Sequence, residues 1–100
     1  MRLNQREIQI IKSTVREILK DNTKVWLFGS RVDDNKRGGD IDLLIETNTP
    51  LIDNRWRIEA RIDFALQRAL GEQKIDIILH TVEDKTQPIH HIAKQTGIKL

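Results

Sequence analysis

Residues 28–46 read FGSRVDDNKRGGDIDLLIE, and this segment predicts both a pair of strands and a candidate site. An apolar run ends there at Gly29 and Ser30, and a strand pattern resumes at Asp40 after a mostly polar segment. Successive side chains of a strand point to opposite faces, so Asp40 and Asp42 share one face and the aliphatic residues between and after them share the other. Neighbouring carboxylates repel each other and resist desolvation, which predicts a compensating cation. Hard oxygen ligands favour Mg²⁺, with Mn²⁺ as an alternative.

Length and composition restrict the class of protein. One hundred residues predict a single domain spanning residues 1–100. The absence of cysteine excludes disulfides and thiolate metal sites. No apolar run approaches the roughly 20 residues of a membrane span, and no signal-peptide pattern is present, so we expect a cytoplasmic protein. The 17 basic and 15 acidic residues give a net charge of +2, which is only weak evidence for nucleic-acid binding, so direct binding to nucleic acid is not expected.

Three segments have the apolar periodicity of helices, at residues 4–20, 53–70 and 88–97. Asn4 is a suitable N-cap for the first, and Glu7 follows three positions later, as in a capping box. A glycine follows the second segment, and the third begins at a proline, as is typical of helix ends and starts respectively.

Three strands complete the pattern, at residues 25–28, 40–46 and 74–80. The order helix, strand, strand, helix, strand, helix predicts an α/β (α+β) fold in which the helices pack mainly on one face of a small mixed sheet. Asp76 lies in the third strand between isoleucines, where an unpaired buried carboxylate would be costly. If this strand lies beside the Asp40–Asp42 strand, three carboxylates converge and can hold two divalent ions about 3.5–4 Å apart.

Gly29 and Ser30 supply the complementary half of such a site. A glycine at a strand end lets the backbone approach a phosphate closely, and Ser30 adds a hydroxyl donor. Arg31 follows directly and is the cation best placed to offset phosphate charge.

Each of these features also has an ordinary structural explanation. A Gly-Ser pair after a strand is a common turn, and an Asp-x-Asp pair at a strand start is often solvated. Asp76 could form a salt bridge with Arg61 or Arg68 of the neighbouring helix. The combination, in this order and with compatible strand parity, favours a site.

The combination also resembles a known family. The runs LFGSR and DIDLLIE, followed by a lone aspartate in a later strand, resemble the nucleotidyltransferase superfamily that includes the polymerase-beta-like enzymes. The small size and the ending PIHHIAKQTGIKL look most like its minimal nucleotidyltransferase (MNT) branch. The resemblance covers nearly the whole chain.

The resemblance implies a palm-like nucleotidyltransferase fold with a specific division of roles. Asp40, Asp42 and Asp76 would be both the catalytic and the metal-binding residues, holding two Mg²⁺ ions. Gly29 and Ser30 would hold the nucleotide phosphates, with Arg31 beside them. The reaction would transfer a nucleoside monophosphate, most plausibly AMP from ATP, to an acceptor hydroxyl. Many MNT proteins resemble antitoxins that bind and adenylylate a helical HEPN-type toxin, which makes such a toxin the expected partner.

Two further interpretations stay open. The chain could be a non-catalytic antitoxin that neutralises its partner by contact, or a nucleic-acid-binding repressor subunit, which we rank last. The sequence leaves open the acceptor, the choice of triphosphate, and whether the chain forms a homodimer or a hetero-oligomer. Trp56 is off the main apolar stripe of its helix; we expect it to pack at the helix end, with a partner interface as the alternative. The three histidines receive no functional role, and solvated or capping positions are favoured.

Overall fold

The computed structural model of the protein describes residues 3–20, 22–29, 41–48, 51, 53–71, 74–81 and 87–100. The elements in these ranges are α1 (Gln5–Leu19), β1 (Thr23–Phe28), β2 (Ile41–Thr47), α2 (Arg55–Leu70), β3 (Ile75–Thr81), α3 (Pro88–Thr96) and β4 (Ile98–Lys99). The predicted α+β class is confirmed, with each predicted helix and strand present. Within the described residues, no helix has the length and apolar character needed to cross a bilayer.

The four strands form one mixed sheet in the order β3-β2-β1-β4. β1 pairs antiparallel with β2, whereas β2 and β3 run parallel. β4 adds antiparallel to the other side of β1 and was not predicted, because its two residues are too few to show an alternating pattern. The pairing of β1, β2 and β3 brings the end of β1 beside the starts of β2 and β3.

The start predicted for α1 and the end predicted for α2 are confirmed by their capping residues. Asn4 and Glu7 form the predicted capping box, with the Glu7 amide donating to Asn4 Oδ1 at 2.8 Å and the Asn4 amide to Glu7 Oε1 at 3.0 Å. Gly71 ends α2 with a φ of +90°, a left-handed conformation that glycine adopts without a steric cost. Strand boundaries were less exact, since β1 begins two residues before the predicted start, at Thr23.

The main core lies between one face of the sheet and the helices α1 and α2. Their apolar stripes meet the odd-numbered residues of β2 and β3, and the fully buried side chains include Ile11, Val15, Leu43, Ile62 and Leu66. Each such side chain contributes about 1.5–3 kcal/mol relative to an exposed one. This packing fixes the face parity of the strands, so that Asp42 and Asp76 lie on the opposite face.

Helices packed on one face only would leave the face of Asp42 and Asp76 free along its whole length. In the structure, part of that face is covered. α3 packs over its far half, where Leu44 and Ala93 are fully buried. Trp26 lies on this same face, half-buried, with the ammonium of Lys94 5.2 Å from its ring centroid. The helices therefore pack mainly, but not only, on the face opposite the carboxylates.

The expectation for Trp56 is wrong. Its side chain is 65% exposed rather than packed at the helix end, and Phe64, two turns further along α2, is 64% exposed. The outer face of α2 therefore presents two large aromatic rings to solvent.

Candidate active site

Three neighbouring strands place one row of residues at the same end of the sheet. Phe28 at the end of β1 is the register partner of Asp42 in β2, and Asp42 is the parallel partner of Asp76 in β3. Adjacent strands are about 4.8 Å apart, and side chains of register partners point to the same face. Asp42 and Asp76 are therefore neighbouring carboxylates, although they are 34 positions apart in the chain.

Gly29 completes this end of the row. Its φ of +77° is a left-handed conformation that strains any residue with a side chain. A Cβ built on Gly29 would collide with Oδ2 of Asp42 and would lie 3.1 Å from its Cγ. The missing side chain thus leaves the space that the Asp42 carboxylate occupies. Sequence reasoning gave Gly29 a role towards phosphate, but it missed this role towards the carboxylate.

Asp76 is exposed rather than buried, so the argument that it would be costly in an apolar strand does not hold. The alternative of a structural salt bridge also finds no support. Among the described residues, no ion pair joins Asp76 to Arg61 or Arg68, and the Arg68 guanidinium lies instead 5.7 Å from the Phe64 ring centroid. Asp76 therefore stands beside Asp42 without a neutralising cation from α2.

An open pocket of about 260 Å³ lies beside Asp76, between β3 and α2. Its lining residues are Glu59, Ala60, Asp63, Ile75, Asp76 and Ile77. Burial raises the pKa of Glu59, against the opposing influence of Arg55 and of a hydrogen bond from the backbone of Leu79. Sequence reasoning missed Glu59 and Asp63, although their four-residue spacing on a helix could have shown that they share one face.

Three of the predicted site residues, Ser30, Arg31 and Asp40, lie outside the described residues. Within the described ranges, no group of three or more histidines and carboxylates is arranged to hold a metal ion. The two predicted ligands that the structure does describe, Asp42 and Asp76, are nevertheless adjacent. Two carboxylates on one row, one of them seated against the bare backbone of Gly29, fit a hard divalent cation.

The other end of the same sheet face contains a second acidic row. Glu46 in β2 is the register partner of His80 in β3, and His80 Nδ1 lies 2.9 Å from Glu46 Oε2. Lys94 of α3 reaches the same oxygen at 2.8 Å. Burial alone would raise the pKa of Glu46, but the hydrogen bonds from Lys94 and His80 bring that pKa below its ordinary value. This carboxylate is neutralised from within the fold.

His80 and His90 lie beside each other at this second row. The rings of His80 and His90 are stacked with centroids 4.0 Å apart, and His90 Nδ1 accepts a hydrogen bond from the Gln87 amide at the start of α3. The predicted capping role holds for His90, but both rings are largely buried rather than solvated. They connect α3 to the sheet and lie away from Asp42 and Asp76.

Comparison with known proteins adds one positive finding. A family model described as "Polymerase beta, Nucleotidyltransferase" matches residues 9–100, which is nearly the whole chain and includes Gly29, Asp42 and Asp76. No curated protein gives a significant match to the sequence.

Proposed function

This chain belongs to the polymerase beta nucleotidyltransferase family, and from that premise we propose that it transfers AMP from ATP to a hydroxyl group of a protein partner. The observation that carries the proposal is the register pairing of Asp42 with Asp76, beside Gly29, at one end of the sheet. Family membership supports nucleotidyl transfer in general. The donor, the acceptor and the roles of single residues are the proposed part.

Asp42 and Asp76, together with Asp40, would hold divalent magnesium. Bound there, the ions would neutralise charge on the triphosphate and lower the pKa of the attacking hydroxyl. The protein fixes the position of the Asp42 carboxylate through β2 and the bare Gly29 backbone, so little reorganisation is needed when a cation arrives. Ser30 and Arg31 would contact the triphosphate.

The transfer step forms one bond and breaks one. The acceptor oxygen bonds to the α-phosphorus while the bond from that phosphorus to the α,β-bridging oxygen breaks, and pyrophosphate leaves with the electron pair. The acceptor proton passes to the carboxylate of Asp76, whose exposed position leaves it accessible to an incoming group. No covalent enzyme intermediate is required, since positioning and charge stabilisation supply most of the catalysis of phosphoryl chemistry.

Labelled nucleotides test this reaction directly. The protein is incubated with magnesium, the partner that co-purifies with it from its native cell, and ATP labelled either at the α- or at the γ-phosphate. Label from the α-position alone should enter the partner, with an added mass of one AMP in the intact-mass spectrum. Label from the γ-position would show a kinase, and the absence of either label at saturating ATP would contradict nucleotidyl transfer.

We further propose an HEPN-type toxin as the partner, with this chain as its antitoxin. The MNT-like ending of the sequence motivates the choice, and the outer face of α2 supports a protein partner. Trp56 and Phe64 are exposed on this face, and the Arg57 guanidinium lies 5.4 Å from the Trp56 ring centroid. Exposed aromatic residues with arginine are characteristic of the energetically dominant part of protein interfaces.

The variant Trp56→Ala with Phe64→Ala should weaken partner binding at least about 100-fold, since two interface aromatics can each contribute 2 kcal/mol or more. Ile92→Ser is the matched control because Ile92 is an exposed apolar residue on α3, on the other side of the sheet. Unchanged binding by the double variant, or an equal loss with Ile92→Ser, would refute α2 as the interface.

The same aromatic face favours a second candidate function, neutralisation of the toxin by contact alone. The two candidates separate cleanly in a growth assay with the toxin expressed. If Asp42→Asn still protects and Trp56→Ala with Phe64→Ala does not, contact is the mechanism. If Asp42→Asn fails to protect while still binding the toxin, modification is required.

A further inference from the structure

The outer edge of the sheet beside Asp76 has a backbone pattern that alternates along β3. β3 is the edge strand, and the Ile41 amide donates to the Lys74 carbonyl at 3.0 Å. In a parallel ladder, residues whose backbone groups pair with the neighbouring strand alternate with residues whose groups point away from it. The even-numbered residues of β3 therefore bond to β2, and the N–H and C=O groups of Ile75, Ile77 and Leu79 point out of the sheet.

At Leu79 this outward edge is closed by α2. The Arg55 guanidinium donates to the Leu79 carbonyl, and the Glu59 carboxylate accepts from the Leu79 amide. Arg55 and Glu59 are four residues apart on α2 and so reach the strand from the same side of the helix. One charged pair thus satisfies both backbone groups of one edge residue, which prevents another strand from pairing there.

At Ile75 and Ile77 no described residue closes the edge in this way. Neither residue has a backbone partner on its outward side in the part of the chain that the structure describes. The open pocket of about 260 Å³ lies directly against both residues, and Glu59, Asp63 and Asp76 are also among its lining residues. Two donors and two acceptors of an edge strand therefore face an acidic pocket beside a proposed catalytic carboxylate.

We infer that an extended segment of the acceptor protein pairs with Ile75 and Ile77 as an added strand, and that this segment carries basic side chains on either side of the acceptor hydroxyl. The inference rests on the proposed transfer reaction. Backbone pairing supplies affinity without regard to sequence, while charge supplies selectivity. The acidic residues Asp63 and Asp76 that line the pocket favour lysine or arginine. The Arg55–Glu59 pair at Leu79 stops the added strand and so fixes its register relative to Asp76.

A second copy of this chain is a poorer occupant of the same edge. Two β3 edges paired about a twofold axis would bring both copies of Asp76 and of Asp63 close together. Like charges placed opposite each other destabilise a strand pair. A self-associated edge would also cover Asp76 in both copies.

Amide hydrogen exchange, followed residue by residue by NMR on the full chain without nucleotide, tests the inference. The probe is a short peptide in which lysines alternate with valines on both sides of one tyrosine. It should slow exchange at Ile75 and Ile77 at least about tenfold, as expected for newly hydrogen-bonded amides. Asp76 and Ile78 are internal controls, because their amides already bond to β2. The same peptide with glutamate in place of lysine should give no protection.

Ile77→Pro provides the matched variant. Proline removes the outward amide of residue 77 but no ladder bond to β2, and edge strands tolerate proline at such positions. It should weaken binding of the lysine peptide about tenfold, the value of roughly one hydrogen bond. Ile77→Val keeps the amide and should bind like wild type. If Ile77→Pro does not fold, the exchange experiment on the wild-type protein decides alone.

The outcomes separate this inference from the transfer reaction. Asp42→Asn should lose AMP transfer yet show the same protection of Ile75 and Ile77 by the peptide, because binding at the edge does not need that carboxylate. Protection only on α2, equal protection by the glutamate peptide, or protection of Ile75 and Ile77 by self-association without peptide would each overturn the added-strand inference, whatever the transfer assay shows.

Discussion

The two ends of one sheet face differ in how the fold treats a carboxylate. At one end Asp42 lies beside Asp76, and at the other end, about 13 Å along the same two strands, Glu46 lies beside His80. Both pairs are register partners on the face opposite the main core. The Glu46 row is covered by α3 and neutralised by Lys94, whereas the Asp42 row places two like charges together.

The Glu46 row and the Asp42 row contribute differently to the stability of the fold. Lys94 and His80 stabilise the ionised form of Glu46, so that row holds α3 against the sheet. Two adjacent carboxylates repel each other, and this repulsion by itself costs free energy. We therefore expect changes at the Asp42 row to affect activity, and changes at the Glu46 row to affect stability.

The largest effect is expected from Asp42→Asn or Asp76→Asn. Either change removes one of the paired negative charges and should lower AMP transfer by about 10³-fold or more, as is usual for a metal-binding catalytic group. The free energy of unfolding should stay within about 0.5 kcal/mol of wild type, because the change keeps the size of the side chain. Label transfer and urea unfolding measure the two quantities. A large loss of stability with activity retained would reverse the assignment of the two rows.

Gly29→Ala should act on the same row indirectly. The new methyl group meets the Asp42 carboxylate, and the φ of +77° becomes strained. We expect a loss of about 1–2 kcal/mol in unfolding free energy and about 100-fold in transfer, because the carboxylate is displaced by about an ångström or more. Gly71→Ala, which has a similar φ but open space around it, is the control for strain alone. If both variants lose activity equally, the contact with Asp42 is not the cause.

A smaller effect, now on stability, is expected at the covered row. Glu46→Gln removes the charge that Lys94 and His80 face, and should lower the unfolding free energy by about 1 kcal/mol. Transfer activity should stay within about twofold of wild type. Thermal and urea unfolding, with label transfer on the same samples, check this. A loss of transfer as large as that of Asp42→Asn would show that the rows are not separate.

The smallest effect is expected from pH. The pKa of Glu46 is lowered in the folded protein, so its contribution to stability is complete above the ordinary glutamate value near about 4.3 and is lost as pH falls through the lower folded value. The stability advantage of wild type over Glu46→Gln should therefore shrink as pH falls below about 4. Urea unfolding of both proteins across this range measures it. An advantage that grows as pH falls below about 4 would contradict the lowered pKa of Glu46.

Much of the fold follows from local patterns. Within the described residues, capping residues such as Asn4, aliphatic periodicity and the alternation at Asp42 and Asp76 predict all three helices and three of the four strands. β4 was not predicted, because the pairing of Ile98 with Leu27 depends on tertiary packing that two residues do not encode. The exposure of Trp56 was not predicted either, because amphipathic periodicity does not distinguish an exposed aromatic residue from one packed at a helix end.

For the site, strand parity predicts that Asp42 and Asp76 share a face, but only the parallel register makes them direct partners. The space that Gly29 leaves for a carboxylate depends on side-chain placement across two strands, and no local signal encodes it. The closure of the β3 edge by Arg55 and Glu59 likewise depends on how α2 is docked. Roles for Ser30, Arg31 and Asp40 stay predictions from the sequence.

Binding of Mn²⁺, followed by paramagnetic broadening of backbone amide signals, tests the contrast between the two rows most directly. Substoichiometric Mn²⁺ should broaden the amides around Asp42 and Asp76 first and leave those around Glu46 and His80 sharp, and Asp42→Asn should remove the broadening. Broadening centred on Glu46 and His80, or broadening that Asp42→Asn leaves unchanged, would contradict a cation site at the paired aspartates.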